Sequence, residues 1–287
     1  MAFPHHEYRP DIHIHTTASD GVCTFEQIAA RAVKIGLNIL SVTDHDTLDA
    51  YKDMEDVRNS GDILILPGVE FSAGESRDTH ILGYGALPTL RKLEPFLSGL
   101  RENRRARLVR MTEKLQGAGV RVTVDDVMKD NPNSPGRIHL ARVLVSNGYA
   151  ASIHEAFVKY LAPGRVGYEP HRNVSVAKLI ETMRSVGAVP VLAHPGLLNM
   201  EIHSLRPLLS QWIDAGLLGM EVYHPSHSDG TIREFDGLAR EKGLFITGGS
   251  DFHEPEASGS HMDLGGMLRY WKTADDDMKK LLHLVGL

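Results

Sequence analysis

An α/β barrel-like fold interrupted by a helical insertion is predicted by three observations. Short apolar, β-rich runs alternate with amphipathic helical stretches through the first 88 residues of the 287-residue chain. The same alternation resumes from residue 173 to the end, whereas residues 89–172 carry helical patterns with no convincing strand between them. Strands alternating with helices of about 10–15 residues indicate a largely parallel sheet with helices packed outside it. The expected division is therefore a discontinuous barrel from 1–88 and 173–287, with a helical insertion at 89–172 covering the active site.

Each element has a local reason. The chain opens on the alternating run "DIHIH", a short strand. "TFEQIAARAVKIG" follows as a helix, with Thr24 as N-cap, Gln27 completing a capping box and Gly36 ending it. "LNILSVTDHD" is the next strand, a helix starts near Leu48, and "DILILPGVEFSAG" and "THILGYG" read as paired strands. The insertion contributes "LEPFLSGLRENRRARLVRMTEKLQGAG", "RIHLARVLVSNG" and "SIHEAFVKYL" as helices. Beyond it come the helix "VAKLIETMRSVG", the strand "AVPVLAHPG", a helix to about Ala215 and the strand "GLLGMEVYHPSH". The helix "TIREFDGLAREKG" and the strand "LFITGGSDFH" complete the rhythm.

Composition narrows the function. A hydrophobic share of 42% and a charged share of 24% belong to a globular chain with a substantial core. No apolar run approaches the roughly 20 residues that span a bilayer, and "MAFPHHEYRP" lacks the pattern of a signal peptide. A cytoplasmic protein with no membrane association is expected, and no obligate protein partner is evident. A net charge of −6 argues against a protein that coats nucleic acid. The single cysteine, Cys23, excludes an intrachain disulfide and reads as a small buried hydrophobe. Any metal site must therefore be built from His and carboxylates, and the chain holds 16 histidines.

Those residue types recur where barrel chemistry is done. His13 and His15 end the first strand, one residue apart, and so share a face. Asp44 and His45 follow "ILSVT", Glu70 lies in "ILILPGVEFS", His194 follows "VPVLA", and Asp251 and His253 follow "LFITGGS". In a parallel barrel the C-terminal strand ends form one rim, where active sites lie. His80 joins that rim if its strand runs back antiparallel. Each residue alone has an ordinary reading: a loop histidine, or for Asp44 a helix N-cap. Imidazoles and carboxylates without thiolate suit Zn, Mn or Fe in a hydrolytic centre.

The motifs "DIHIHTTASDG", "TDHDT", "GVEFS", "HILGYG", "AHPG" and "GSDFH" resemble, in order, those of the PHP (polymerase and histidinol phosphatase) family. The resemblance implies a distorted (β/α)7 barrel and a centre of three divalent metal ions (Mn, Fe or Zn). One ion would take His13, His15, Glu70 and Asp251. A second would share Glu70 and take His80 and His194, and a third would take Asp20, His45 and His253. Some members carry His where this chain has Asp20. Among subgroups, the chain looks most like stand-alone phosphoesterases acting on nucleotides or sugar phosphates.

The expected reaction is hydrolysis of a small phosphorylated metabolite, a nucleoside 3′,5′-bisphosphate or a cyclic sugar or nucleotide phosphate. A hydroxide bridging the Glu70-linked pair would attack phosphorus. Glu70 and Asp251 are the catalytic carboxylates in that reading, with His227 of "EVYHPSH" as candidate general acid and His224 beside the substrate. Arg137 opens a helix, where guanidinium and free N–H groups favour phosphate. Lys159, Arg165, Tyr168 and His171 add a second basic stretch, which together with Arg137 would hold a further phosphate. The arginines of "RENRRARLVR" read as a solvated helix with salt bridges, the other option being a track for an RNA backbone. The competing functions are a 5′-3′ exoribonuclease acting on short RNA, an amidohydrolase, and a non-catalytic PHP binding module.

Overall fold

The computed structural model describes residues 8–54, 63–74, 79–129, 134–170, 173–255, 262–271 and 275–287. Eight strands among these residues form two sheets. In the first, β1 (Pro10–Asp11), β2 (Ile39–Leu40) and β3 (Leu64–Ile65) lie parallel in that order. The second runs β4 (Gly68–Ala73), β5 (Thr79–Tyr84), β6 (Val189–Leu192), β7 (Gly219–Tyr223) and β8 (Phe245–Gly248). β5 is antiparallel to both neighbours, while β6, β7 and β8 are parallel.

The sheets touch through two single-pair bridges, Ile14 with Phe252 and His45 with Glu70. The closed (β/α)7 barrel expected from the family resemblance is not found; the observed fold is mixed α/β with two sheets. Past Asp11 and Leu40 regular pairing stops, and the two segments reach the other sheet only through the bridges at Ile14 and His45.

Helix boundaries follow local chemistry closely. Helix α1 (Phe25–Ile35) has its Thr24–Gln27 capping box and ends at Gly36 with φ of 75°. The long helix α2 (Glu94–Gly117) and α3 (Arg137–Ser146) follow β5 and precede β6. Helices α4 (Val176–Val186) and α6 (Asp229–Glu241) start at the serine caps Ser175 and Ser228. Between them lies α5 (Ile202–Asp214), and α7 (Asp275–Leu284) is the last element. The helix expected from Leu48 is a single 3-10 turn, Asp49–Tyr51, within the described residues. The aromatic Tyr51 is buried there and donates through its hydroxyl to Val42 O.

Two hydrophobic clusters form. Ile12, Ile39, Val69, Phe71, Ile81, Val191 and Phe245 belong to one, between the sheets and their covering helices. Leu108, Met111, Leu115, Leu140, Leu144 and Leu161 belong to the other. Helix α2 takes part in both, Leu97 and Leu100 in the first and Leu108 to Leu115 in the second. With each fully buried leucine contributing about 1.5–3 kcal/mol, α2 is the beam that ties the clusters together. No helix among the described residues is long and apolar enough to cross a membrane.

Candidate metal centre

Glu70 sits mid-way along β4, and the register places Ser72 opposite His80 and Glu70 opposite Leu82. Glu70 and His80 are thus diagonal neighbours on one face, within side-chain reach. His80 Nδ1 lies 2.8 Å from Glu70 Oε1, and His194 Nε2 lies 2.9 Å from the same oxygen. The antiparallel run of β5 delivers His80 to the rim from the opposite direction, as its motif requires.

The other oxygen of Glu70 faces a different set. Glu70 Oε2 is 3.5 Å from His13 Nε2, 3.3 Å from His15 Nε2 and 3.0 Å from His45 Nδ1. Asp251 Oδ1 closes that set at 3.5 Å from His13 Nε2 and 3.2 Å from His15 Nε2. A third set surrounds Asp20, whose carboxylate oxygens lie 3.3 Å from His253 Nε2 and 3.6 Å from His45 Nε2. Its Oδ1 is also 3.5 Å from His15 Nδ1. All nine residues expected as ligands therefore meet in one place.

The backbone is forced to make this possible. His194 has φ of 23° and Asp251 φ of 49°, left-handed values that cost an L-residue free energy and cluster at functional sites. Gly249 lets the end of β8 press against the first motif, because a Cβ there would stand 2.3 Å from His13 Cβ. Asp44 is not a helix cap: its carboxylate accepts from Thr16 N at 2.8 Å, from Thr16 Oγ1 at 2.6 Å and from Ser19 Oγ. It thereby ties down the loop that carries Asp20.

Electrostatics describes a site built around positive charge. Burial would raise the Glu70 carboxyl, yet His45, His80 and His13 hold it well below the usual range. Asp251 and Asp20 are likewise held low against the cost of burial, Asp251 by His13 and His253, Asp20 by His253 and His45. Burial works against a proton on His15, but the adjacent carboxylates of Asp251, Glu70 and Asp20 lift it to about 10. His45 goes the other way, pushed down to about 4 by burial.

The residues fit divalent metal ions. Groups of His13, His15 and Asp251; His13, Glu70 and His194; His45, Glu70 and His80; and His15, Asp20, His45 and His253 each bring their donor atoms together. Ligands about 2.0–2.2 Å from one ion stand roughly 3.0–3.5 Å apart, which is the spacing of these donors. Nε2 of His13 and of His15 and Nδ1 of His45 are buried and make no hydrogen bond. Such orphaned nitrogens are costly unless something accepts their lone pairs.

Comparison with known proteins agrees with this chemistry. The PHP domain matches residues 11–181. The chain is 34% identical to the 3′,5′-nucleoside bisphosphate phosphatase of Chromobacterium violaceum, over 87% of this chain and 88% of that one. It is 35% identical to the 5′-3′ exoribonuclease Rnm of Salmonella typhimurium, over 85% of each. The chain belongs to the PHP family. A solved structure from Chromobacterium violaceum, described as an amidohydrolase with bound sulfate and no metal, superposes with a TM-score of 0.77. It is 31% identical and covers 93% of this PHP chain and 96% of its own.

The remaining expected residues of this PHP protein are less concentrated. His224 is fully buried, with Nε2 3.3 Å from Asp251 Oδ2 and Nδ1 2.7 Å from Ser226 Oγ. It stands beside Asp251 at the edge of the cluster. His227, the expected general acid, donates through Nδ1 to Val222 O at 2.9 Å and accepts through Nε2 from Gly196 N at 3.0 Å. Burial pushes its ring down to about 4.

Arg137 lines a small cavity with Arg104, Arg107 and Pro135, and its guanidinium lies over the Phe157 ring. Lys159 Nζ donates to Tyr149 O, Arg165 is exposed, and Tyr168 O accepts from Lys114 Nζ. His171 lies outside the described residues. Cys23 is half-buried, packed on the edge of the main core.

Sequence reasoning passed over two features. The "RENRRARLVR" run is not simply a solvated face, for Arg107 is buried and Arg104 half-buried. Arg104 Nε donates to Asp46 Oδ2 at 2.5 Å and its Nη2 to Ser72 Oγ, while Arg101 Nη1 reaches Asp46 O at 3.0 Å. The recurrence of arginine at 101, 104 and 107 was the available signal, one helical face at i+3. The second feature is Glu221 on β7, wholly buried, whose place in an apolar strand was the only clue.

Proposed function

We propose that this chain is a hydrolase of phosphate monoesters on small doubly phosphorylated nucleotides, a nucleoside 3′,5′-bisphosphate foremost. The observation that carries the proposal is Glu70, whose two carboxylate oxygens face two separate histidine sets. Such a carboxylate joins two cations about 3.5–4 Å apart, the arrangement of two-metal phosphoester hydrolysis. Cleavage of phosphate esters also fits the named PHP relatives, one a 3′,5′-nucleoside bisphosphate phosphatase and one a 5′-3′ exoribonuclease.

Three divalent ions of Mn, Fe or Zn type would be held: one by His13, His15, Glu70 and Asp251, one by Glu70, His80 and His194, and one by Asp20, His45 and His253. Bound there, they would supply a water acidic enough to ionise near neutral pH and positive charge for the phosphoryl oxygens. The chain's own residues set the stage. Glu70 and Asp251 fix the spacing of the donors, and the positive φ of Asp251 aims its carboxylate inward. The insertion, in its described residues, would cover this rim. Ser134 Oγ donates to His45 O, Arg142 Nη2 to Asp20 O, and His139 Nε2 lies 3.1 Å from Ser19 O. Arg137, one turn away from these anchors, takes the phosphate that is not cleaved. A phosphorylated nucleotide as substrate is consistent with a cytoplasmic setting.

Replacing Arg137 by Ala tests the substrate class. KM for adenosine 3′,5′-bisphosphate should rise at least about 10-fold, the cost of roughly one charge-assisted hydrogen bond. KM for a generic aryl phosphate should barely move. Equal effects on both would remove Arg137 from the site. Stepwise nucleotide release from short RNA with a steep salt dependence would favour the exoribonuclease reading instead.

A further inference from the structure

Beneath the metal donors, β7 carries one carboxylate that faces no candidate ion. Glu221 is wholly buried, its neighbours Met220 and Val222 belong to the hydrophobic core, and it pairs across the sheet with Thr247 of β8. Its two oxygens reach two different ligands. Oε1 lies 2.8 Å from His13 Nδ1, and Oε2 accepts from the backbone N–H of His194 at 2.8 Å.

Each contact has a consequence for a metal. A carboxylate can only accept, so His13 must carry its proton on Nδ1 and present the lone pair of Nε2. That nitrogen is the one facing Glu70 and Asp251, buried and making no hydrogen bond. The second contact fixes a backbone that would not otherwise stay put. His194 sits at φ of 23°, and a peptide N–H locked onto a buried carboxylate holds it there, with Nε2 aimed at Glu70 Oε1.

We infer that Glu221 is a positioning residue that joins two of the metal subsites, setting the tautomer of His13 and the backbone of His194 at once. The inference rests on the metal-centre reading above and adds a residue to it. A substitution by Gln separates the role from bulk, because the side chains are nearly isosteric. Both partners of Glu221 are donors, and Gln has one acceptor oxygen where two are needed. Either His13 is forced to the wrong tautomer or the His194 N–H is left facing an NH2 group.

The test is metal titration of metal-free wild type and E221Q with Mn, with bound metal per chain also counted after dialysis. Thermal unfolding of both metal-free proteins is followed in parallel. Loss of an outer partner of this kind costs about 10–100-fold in metal affinity. E221Q should lose that much at the sites that use His13 and His194. The Asp20, His45 and His253 site should keep its ion, and nitrogen NMR should show His13 changing tautomer. Wild-type affinity and stoichiometry in E221Q would overturn the inference, as would metal loss that only tracks unfolding of the metal-free protein. If wild type itself binds no metal, the metal-centre reading fails and not this refinement alone.

Discussion

His13 and His15 show how much a two-residue spacing can decide. Both imidazoles face Asp251 Oδ1 and Glu70 Oε2, so the segment that continues past β1 (Pro10–Asp11) delivers two donors to one point. Glu70 is the hub, and Glu70→Gln should lower activity by more than the roughly 100-fold that loss of an outer-shell partner costs. The check is kcat/KM beside a metal count, both of which should fall. His15 gives a pH prediction with a definite sign. Its proton is held in the folded, metal-free protein up to about 10, above the ordinary 6.5. That proton therefore stabilises the metal-free fold fully below about pH 6.5, and the contribution is lost as pH rises toward 10. The melting temperature of metal-free protein should fall between pH 7 and 10. Metal-loaded protein should be spared, because metal and proton compete for the same nitrogen, and calorimetry should record protons released on loading.

At the scale of elements, α2 is the piece that the sequence described least well. Its charge run was read as solvent-facing because many arginines in ten residues cover several faces of a helix. What such a count misses is that Arg104 and Arg107 point inward, where Arg104 meets the fully buried Asp46. Arg104→Ala should destabilise the protein by about 3–5 kcal/mol, since it strands a buried carboxylate. Urea unfolding measures this, and Arg104→Lys should recover only part, lacking the planar fork that bonds Asp46 and Ser72 together. Helix ends were far more legible: the Thr24–Gln27 box and the Gly36 stop stand where local chemistry put them. Strand pairing was legible only in part. Apolar alternation marks a strand but does not say with whom it pairs, so the end of regular pairing past Asp11 and Leu40 left no mark in the pattern.

Over the whole molecule, nine donors scattered from His13 to His253 converge because strand ends gather at one rim. That convergence was readable from motif order, since most of the donors lie within or beside a β-rich run. The outer layer was not readable. Glu221 is a single acid in an apolar strand, and His227 stands in the same motif with both nitrogens already given to main chain. Sequence shows residue type and spacing, whereas these roles depend on which atoms meet across more than 20 residues of chain. The insertion belongs to this scale too, because its contacts to His45, Asp20 and Asp46 link its fold to that of the metal loops.

The most direct test of the account is phosphate release by the Mn-loaded protein from adenosine 3′,5′-bisphosphate, with cyclic nucleotide phosphates, sugar phosphates and short RNA run beside it. The account predicts one phosphate freed per bisphosphate, abolished by chelation and restored by Mn. Metal-loaded, folded protein that frees no phosphate from any of these esters would contradict it.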